Sequence, residues 1–131
     1  MLKNIETATL QVGLDDWIAL GDVVAVAIFY GAPRIPSPDR FVMISESYVI
    51  PVIARLVGDG LVRIGDVYTQ GRFVRFDGSD EEALAWVAKI YRERQGAWDY
   101  AVWMELTRKG KALAESLPTA RYHIRESDDD A

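Results

Sequence analysis

In the stretch Ile53-Ala54-Arg55-Leu56-Val57-Gly58-Asp59-Gly60-Leu61-Val62-Arg63 a helical pattern stops and a strand pattern begins. Its first half continues a helical pattern, with Val49, Ile53, Leu56 and Val57 on one face. Gly58-Asp59-Gly60 then supplies a helix stop, because a glycine takes the left-handed cap conformation without steric cost. The helix should begin near Ser45 to Tyr48, since Pro51 is tolerated only in a first turn. Beyond the stop the pattern changes. Leu61 to Tyr68 and Arg72 to Phe76 alternate in part and flank Thr69-Gln70-Gly71, which predicts a β-hairpin.

Outward from that junction the chain breaks into short elements. Ile5, Ala8 and Val12, with Leu10 and Leu14 on a neighbouring line, predict an amphipathic helix within residues 3–14, ending near Gly13. Asp15-Asp16 suits a turn, and Trp17 to Leu20 a very short strand. The apolar run from Asp22 to Tyr30 fits a buried strand or a buried helix. Asp22 near its start, its alanines and Gly31 favour the helix. Prolines 33, 36 and 38 mark a loop, after which Ser37-Pro38-Asp39 can cap a helical turn through Phe41 to Ile44. Downstream, Ser79-Asp80-Glu81-Glu82 is a capping box, and Leu84, Val87, Ala88 and Tyr91 follow at helical spacing with Gly96 as a stop. A strand is expected over Ala101 to Leu106. Thr107 then caps a helix, Arg108 to Leu117, that Pro118 ends. The expectation is one α+β domain over residues 1–118, followed by a mobile acidic tail, 119–131.

Two strings carry a family resemblance. The stretch 53–63 resembles the "L-x-x-x-G-L-V-x" junction between the third helix and first wing strand of winged-helix domains. Met104-Glu105-Leu106-Thr107-Arg108-Lys109-Gly110-Lys111-Ala112-Leu113 resembles the "x-L-T-x-x-G-x-x-L" segment of MarR- and PadR-like helix-turn-helix regulators. The resemblance spans roughly residues 4–117. It implies three N-terminal helices, a β-hairpin wing, a short strand and a C-terminal helix, and such regulators are commonly homodimers. In the simple arrangement the second wing strand runs almost directly into the "L-T-x-x-G" helix. Here Asp77 to Tyr100, with its capped helix, is inserted between them.

Composition narrows the chemistry. The 131 residues hold no Cys and one His, 50% are hydrophobic, and 15 Lys+Arg stand against 20 Asp+Glu for a net −5. That excludes disulfides, thiolate metal sites and cysteine nucleophiles, and leaves little for multi-histidine metal sites. The longest uncharged stretch, Val23 to Pro33, is far shorter than the ~20 residues of a membrane span. Lys3 and Glu6 interrupt any leader-like apolar run, so no membrane association and a cytoplasmic location are expected. No phosphate loop or Gly-x-Ser-x-Gly elbow is present. Asp15-Asp16 and Glu81-Glu82 have ready roles in a turn and a helix cap. Asp128 to Asp130 lack the spacing of a calcium loop, and His123 falls in the tail. The expectation is a non-enzymatic protein with no cofactor and no metal.

Two binding readings remain. For DNA, the groove helix would offer Ser45, Ser47, Tyr48 and Arg55, and the wing Arg63, Arg72 and Arg75. Yet Arg55 is the only cation between Ser45 and Gly60, against Glu46 and Asp59. Phosphate neutralisation rewards the reverse balance. Wing arginines also suit an exposed sheet edge that must resist aggregation. For a protein partner, Trp98-Asp99-Tyr100 place two large aromatics and a carboxylate in an expected loop, a composition typical of interfaces. An acidic surface beside them would speed capture of a basic partner. Size and charge give a class analogy with immunity proteins that neutralise basic nuclease toxins. The protein-binding reading ranks first and a DNA-binding transcriptional regulator second. A small-molecule sensor with a ligand between Trp17, Phe29 and the inserted helix ranks third.

Overall fold

Leu56 and Val57 offer their carbonyls to the chain that has just left the helix. Leu61 N–H donates to Leu56 O at 2.9 Å and Gly60 N–H to Val57 O at 2.9 Å, with Gly60 at φ 71°. This paired closure is a Schellman motif, and the buried Leu56 and Leu61 supply its apolar contact. The junction turns helix α3 (Glu46–Gly58) into strand β4 (Val62–Tyr68). The computed structural model describes residues 2–35, 43–44, 46–68, 71–93 and 101–124.

Ahead of the junction lie α1 (Asn4–Val12), β1 (Ile18–Ala19), α2 (Leu20–Phe29), and the two-residue strands β2 (Arg34–Ile35) and β3 (Met43–Ile44). After it come β5 (Arg72–Arg75), α4 (Asp80–Glu93), β6 (Trp103–Leu106) and α5 (Arg108–Ser116). The apolar run after Asp22 is helical, as Asp22 suggested: its Oδ2 accepts the Ala19 N–H at 2.8 Å and closes the first turn. Ser79 and Glu82 cap α4 reciprocally, Oγ to N–H and Oε1 to N–H, both at 3.1 Å. Thr107 caps α5 by accepting from Gly110 N–H at 3.0 Å.

Two expectations are corrected. Met43 and Ile44 pair antiparallel with Ile35 and Arg34 rather than closing a helical turn. Arg34 and Ile35 lie between Pro33 and Pro36 but keep their own N–H groups, so the pairing survives the prolines. Pro51 sits in the second turn of α3, not the first, because the helix begins at Glu46. There it withholds one donor from the helical ladder, while Val52, Ile53, Leu56 and Val57 beyond it are buried.

The main sheet is antiparallel with strand order β1-β6-β4-β5. Register places Ile18 opposite Met104 and Met104 opposite Ile64, one buried row across three strands. Residues directly opposite share a face, so the alternate row, Arg63–Glu105 and Gly65–Trp103, faces the other way. Helices α1, α2, α3 and α5 pack with the buried row into one core around Leu10, Leu20, Ile53, Leu56 and Leu61. Helix α4 lies on α3 through Ala83, Val87, Ile90 and Tyr91. The protein is thus α+β with a four-stranded antiparallel sheet.

Residues 119–124, the expected start of the tail, are held against α1. Gln11 Nε2 donates to Pro118 O at 3.0 Å, Gln11 Oε1 accepts from Ala120 N–H at 2.9 Å, and a helical turn follows at 121–124. His123 is half-buried rather than solvated, its Nε2 2.9 Å from Ala8 O. Residues 125–131 lie outside the described ones.

Candidate binding surfaces

The expected protein-contact residues Trp98, Asp99 and Tyr100 lie outside the described residues, as does Ser45. Their neighbours are placed. Trp86 stacks on Phe76 with ring centroids 5.2 Å apart, Tyr91 is buried, and Trp103 is half-buried on β6.

The groove helix of the DNA reading is α3. Ser47 and Tyr48 are exposed in its first turn. Arg55 is already engaged: its Nε donates to Asp59 Oδ2 at 2.9 Å, and Nη1 lies 3.8 Å from Glu6 Oε1. The bond from Arg55, with its charge and that of Lys109, holds the Asp59 carboxyl below its ordinary range despite some desolvation. The other cations divide. Arg63 pairs across the sheet with Glu105 at 3.7 Å. Arg72 and Arg75 are exposed on the edge strand β5 and carry no ion pair among the described residues. The four arginines therefore do not form one uncompensated face.

Asp15-Asp16, read from sequence only as a turn, and Trp17, read as the start of a short strand, form a larger surface. Trp17 stacks on Phe73 of β5 with centroids 6.3 Å apart, joining the turn to the sheet's outer face. Asp15 and Asp16 are exposed and hold no ion pair among the described residues. A cleft of about 580 Å³ opens on one side of the turn, where Glu105 and Leu106 stand with two cations, Arg108 and Lys111. Another of about 370 Å³ opens on the other, toward Asp22, Trp103 and His123. Carboxylates beside indole faces suit a cationic side chain through charge and ring quadrupole together. Sequence gave only a weak signal, because paired aspartates are common in turns and Phe73 is remote in the chain.

The proposed sensor pocket is not assembled by these contacts. Trp17 lies on Phe73, Phe29 packs edge-on to Tyr30 and Tyr122, and α4 packs on α3. Among the described residues no cluster of three or more His, Asp or Glu is arranged to hold a metal ion. Among them, too, no helix is long and apolar enough to cross a membrane. No protein-family model matches the chain, and no curated protein or solved structure matches it either.

Proposed function

We propose that the chain is a non-enzymatic binding module of winged-helix type whose partner is a basic protein. A toxin-neutralising immunity protein is its most concrete form. The observation that carries this reading is the engagement of Arg55, the only cation on α3, by Asp59 and Glu6. A helix whose single guanidinium already faces two carboxylates presents no net positive charge to phosphates. The exposed carboxylates at Asp15 and Asp16, beside Trp17, add a surface of the sign a basic partner needs.

The winged-helix part of the reading draws support from strand order. β6 pairs with β4 and runs directly into α5 through Thr107. On this reading β4 and β6, rather than the expected β4–β5 hairpin, are the paired strands that precede the "L-T-x-x-G" helix. Strand β5 and α4 are then an excursion between them. Arg72 and Arg75 lie on the excursion's edge strand, where cations also deter strand-to-strand aggregation.

Trp98 and Tyr100 remain the proposed anchors. Trp98→Ala and Tyr100→Ala should each weaken partner capture by about tenfold or more, the scale of an interface hot spot, with unchanged thermal unfolding. Capture at wild-type strength by both variants removes the proposed site. The second reading, a DNA-binding regulator, is favoured by Arg72 and Arg75 alone. It requires duplex binding that falls steeply with salt and weakens in Arg72→Ala or Arg75→Ala. Absence of duplex binding at low salt eliminates it.

A further inference from the structure

We propose that the cleft between the Asp15-Asp16 turn, β6 and the turn at 121–124 receives one arginine side chain of the partner, an inference that rests on the basic-protein reading. The cleft measures about 370 Å³, and the rings of Trp17, Trp103 and Tyr122 stand along its walls. That volume is at the small end of pockets that take organic groups. Trp17 is held by its stack on Phe73, centroids 6.3 Å apart, and Tyr122 by edge-on contacts with Phe29 and His123 at 5.5 and 5.2 Å. These rings are positioned by the fold itself, so a ligand need not order them.

Charge selects the occupant. Asp15, Asp16 and Asp22 line this cleft, and among the described residues no Lys or Arg does. Backbone N–H groups hold two of the carboxylates in place: Asp16 Oδ1 accepts from Trp17 at 2.7 Å and Asp22 Oδ2 from Ala19 at 2.8 Å. His123 Nε2 lies 2.9 Å from Ala8 O, which turns that nitrogen toward the backbone. The larger cleft across the turn differs, because Arg108 and Lys111 stand in it and oppose a further cation. A guanidinium is flat and weakly hydrated, so it stacks on an indole while its N–H fork meets a carboxylate. The chain already makes one such contact nearby: the Arg121 guanidinium lies over the Phe29 ring, 5.7 Å from its centroid. A compact, strongly hydrated ammonium gains less from the rings, and a neutral group forgoes the charge.

The probe is N-acetyl-arginine amide, with the citrulline amide as its neutral counterpart and the lysine amide as the ammonium. Each is titrated into the full chain while the indole N–H resonances of Trp17 and Trp103 are followed. The arginine amide is expected to shift both saturably, the citrulline amide to bind at least about tenfold more weakly, and the lysine amide to fall between them. Asp15→Asn with Asp16→Asn should weaken the arginine amide by about tenfold and leave the citrulline amide unchanged. Both side chains are exposed, and asparagine keeps the acceptor for Trp17 N–H. Glu93→Gln with Glu115→Gln removes the same charge from exposed sites away from the cleft and should change nothing. Absence of saturable shifts at millimolar arginine amide, equal affinity for either other probe, or an equal loss in the two double variants overturns the proposal. If a basic protein is still captured in that case, the cleft is removed and the protein reading stands. Probe binding with no basic protein captured supports the guanidinium site and removes the protein reading instead.

Discussion

Gly110 has no room for a β-carbon. One built there would collide with the Leu61 carbonyl, which is backbone and cannot swing aside. That carbonyl also accepts the Thr107 N–H at 3.0 Å, and Thr107 Oγ1 donates to Gly60 O at 2.6 Å. The two strings that carry the family resemblance therefore dock on each other: the helix stop of one receives the helix cap of the other. Gly110→Ala should destabilise the fold by about 2 kcal/mol or more, as overpacking against rigid backbone does. Thr107→Ala should cost about 1 kcal/mol as a lost cap, and Gly60→Ala about 1–2 kcal/mol for a side chain at positive φ. Urea unfolding of the three variants measures this, and a Gly110→Ala variant as stable as wild type contradicts the docking. The local role of each residue was legible, since a cap and a stop are short-range signals. Their meeting was not, because it depends on β6 returning beside β4.

Among the elements, α3 and α4 are joined at one end by Arg92 and Glu46, whose Nε and Nη2 bonds to the carboxylate measure 2.9 and 2.8 Å. The hydrogen bond from Arg92 lowers the Glu46 pKa from its ordinary 4.5, and the arginine's charge acts in the same direction. A depressed carboxyl contributes stability above its unfolded pKa and loses it as pH falls through the folded one. Arg92→Ala should therefore lower Tm by a few degrees at most at neutral pH, and the difference should fade in acid below the ordinary value. A difference that stays constant into strong acid contradicts the ion pair's role. Inside the same pair of helices, Val87→Ala should cost about 1–3 kcal/mol, because the side chain is fully buried where α4 meets the core. Helix α4 was legible from its capping box and its apolar spacing. The helical state of α2 was legible only through Asp22, its alanines and Gly31, since its apolar residues leave no polar stripe to set a period. β2 and β3 escaped notice because Pro33, Pro36 and Pro38 mark their surroundings as a loop.

For the whole molecule, charge proves less useful as a total than as a map. A net −5 disfavours nucleic acid in bulk, whereas the structure divides the cations into engaged and unengaged ones. Arg55 and Arg63 are paired, and Arg72 and Arg75 stand on an edge strand. Acidic residues at the Asp15-Asp16-Trp17 turn acquire significance through the two clefts beside it and through Trp17 on Phe73. No local pattern announces such a surface, for its parts come from opposite ends of the chain.

The central claim is that the partner is a basic protein rather than DNA. Affinity capture by the full chain from its own cell lysate, split into untreated and nuclease-treated halves, tests it most directly. One basic protein should be retained equally in both halves and released by raised salt, as an electrostatically steered contact requires. Loss of the captured material on nuclease treatment, with duplex DNA recovered from the untreated half, would contradict it.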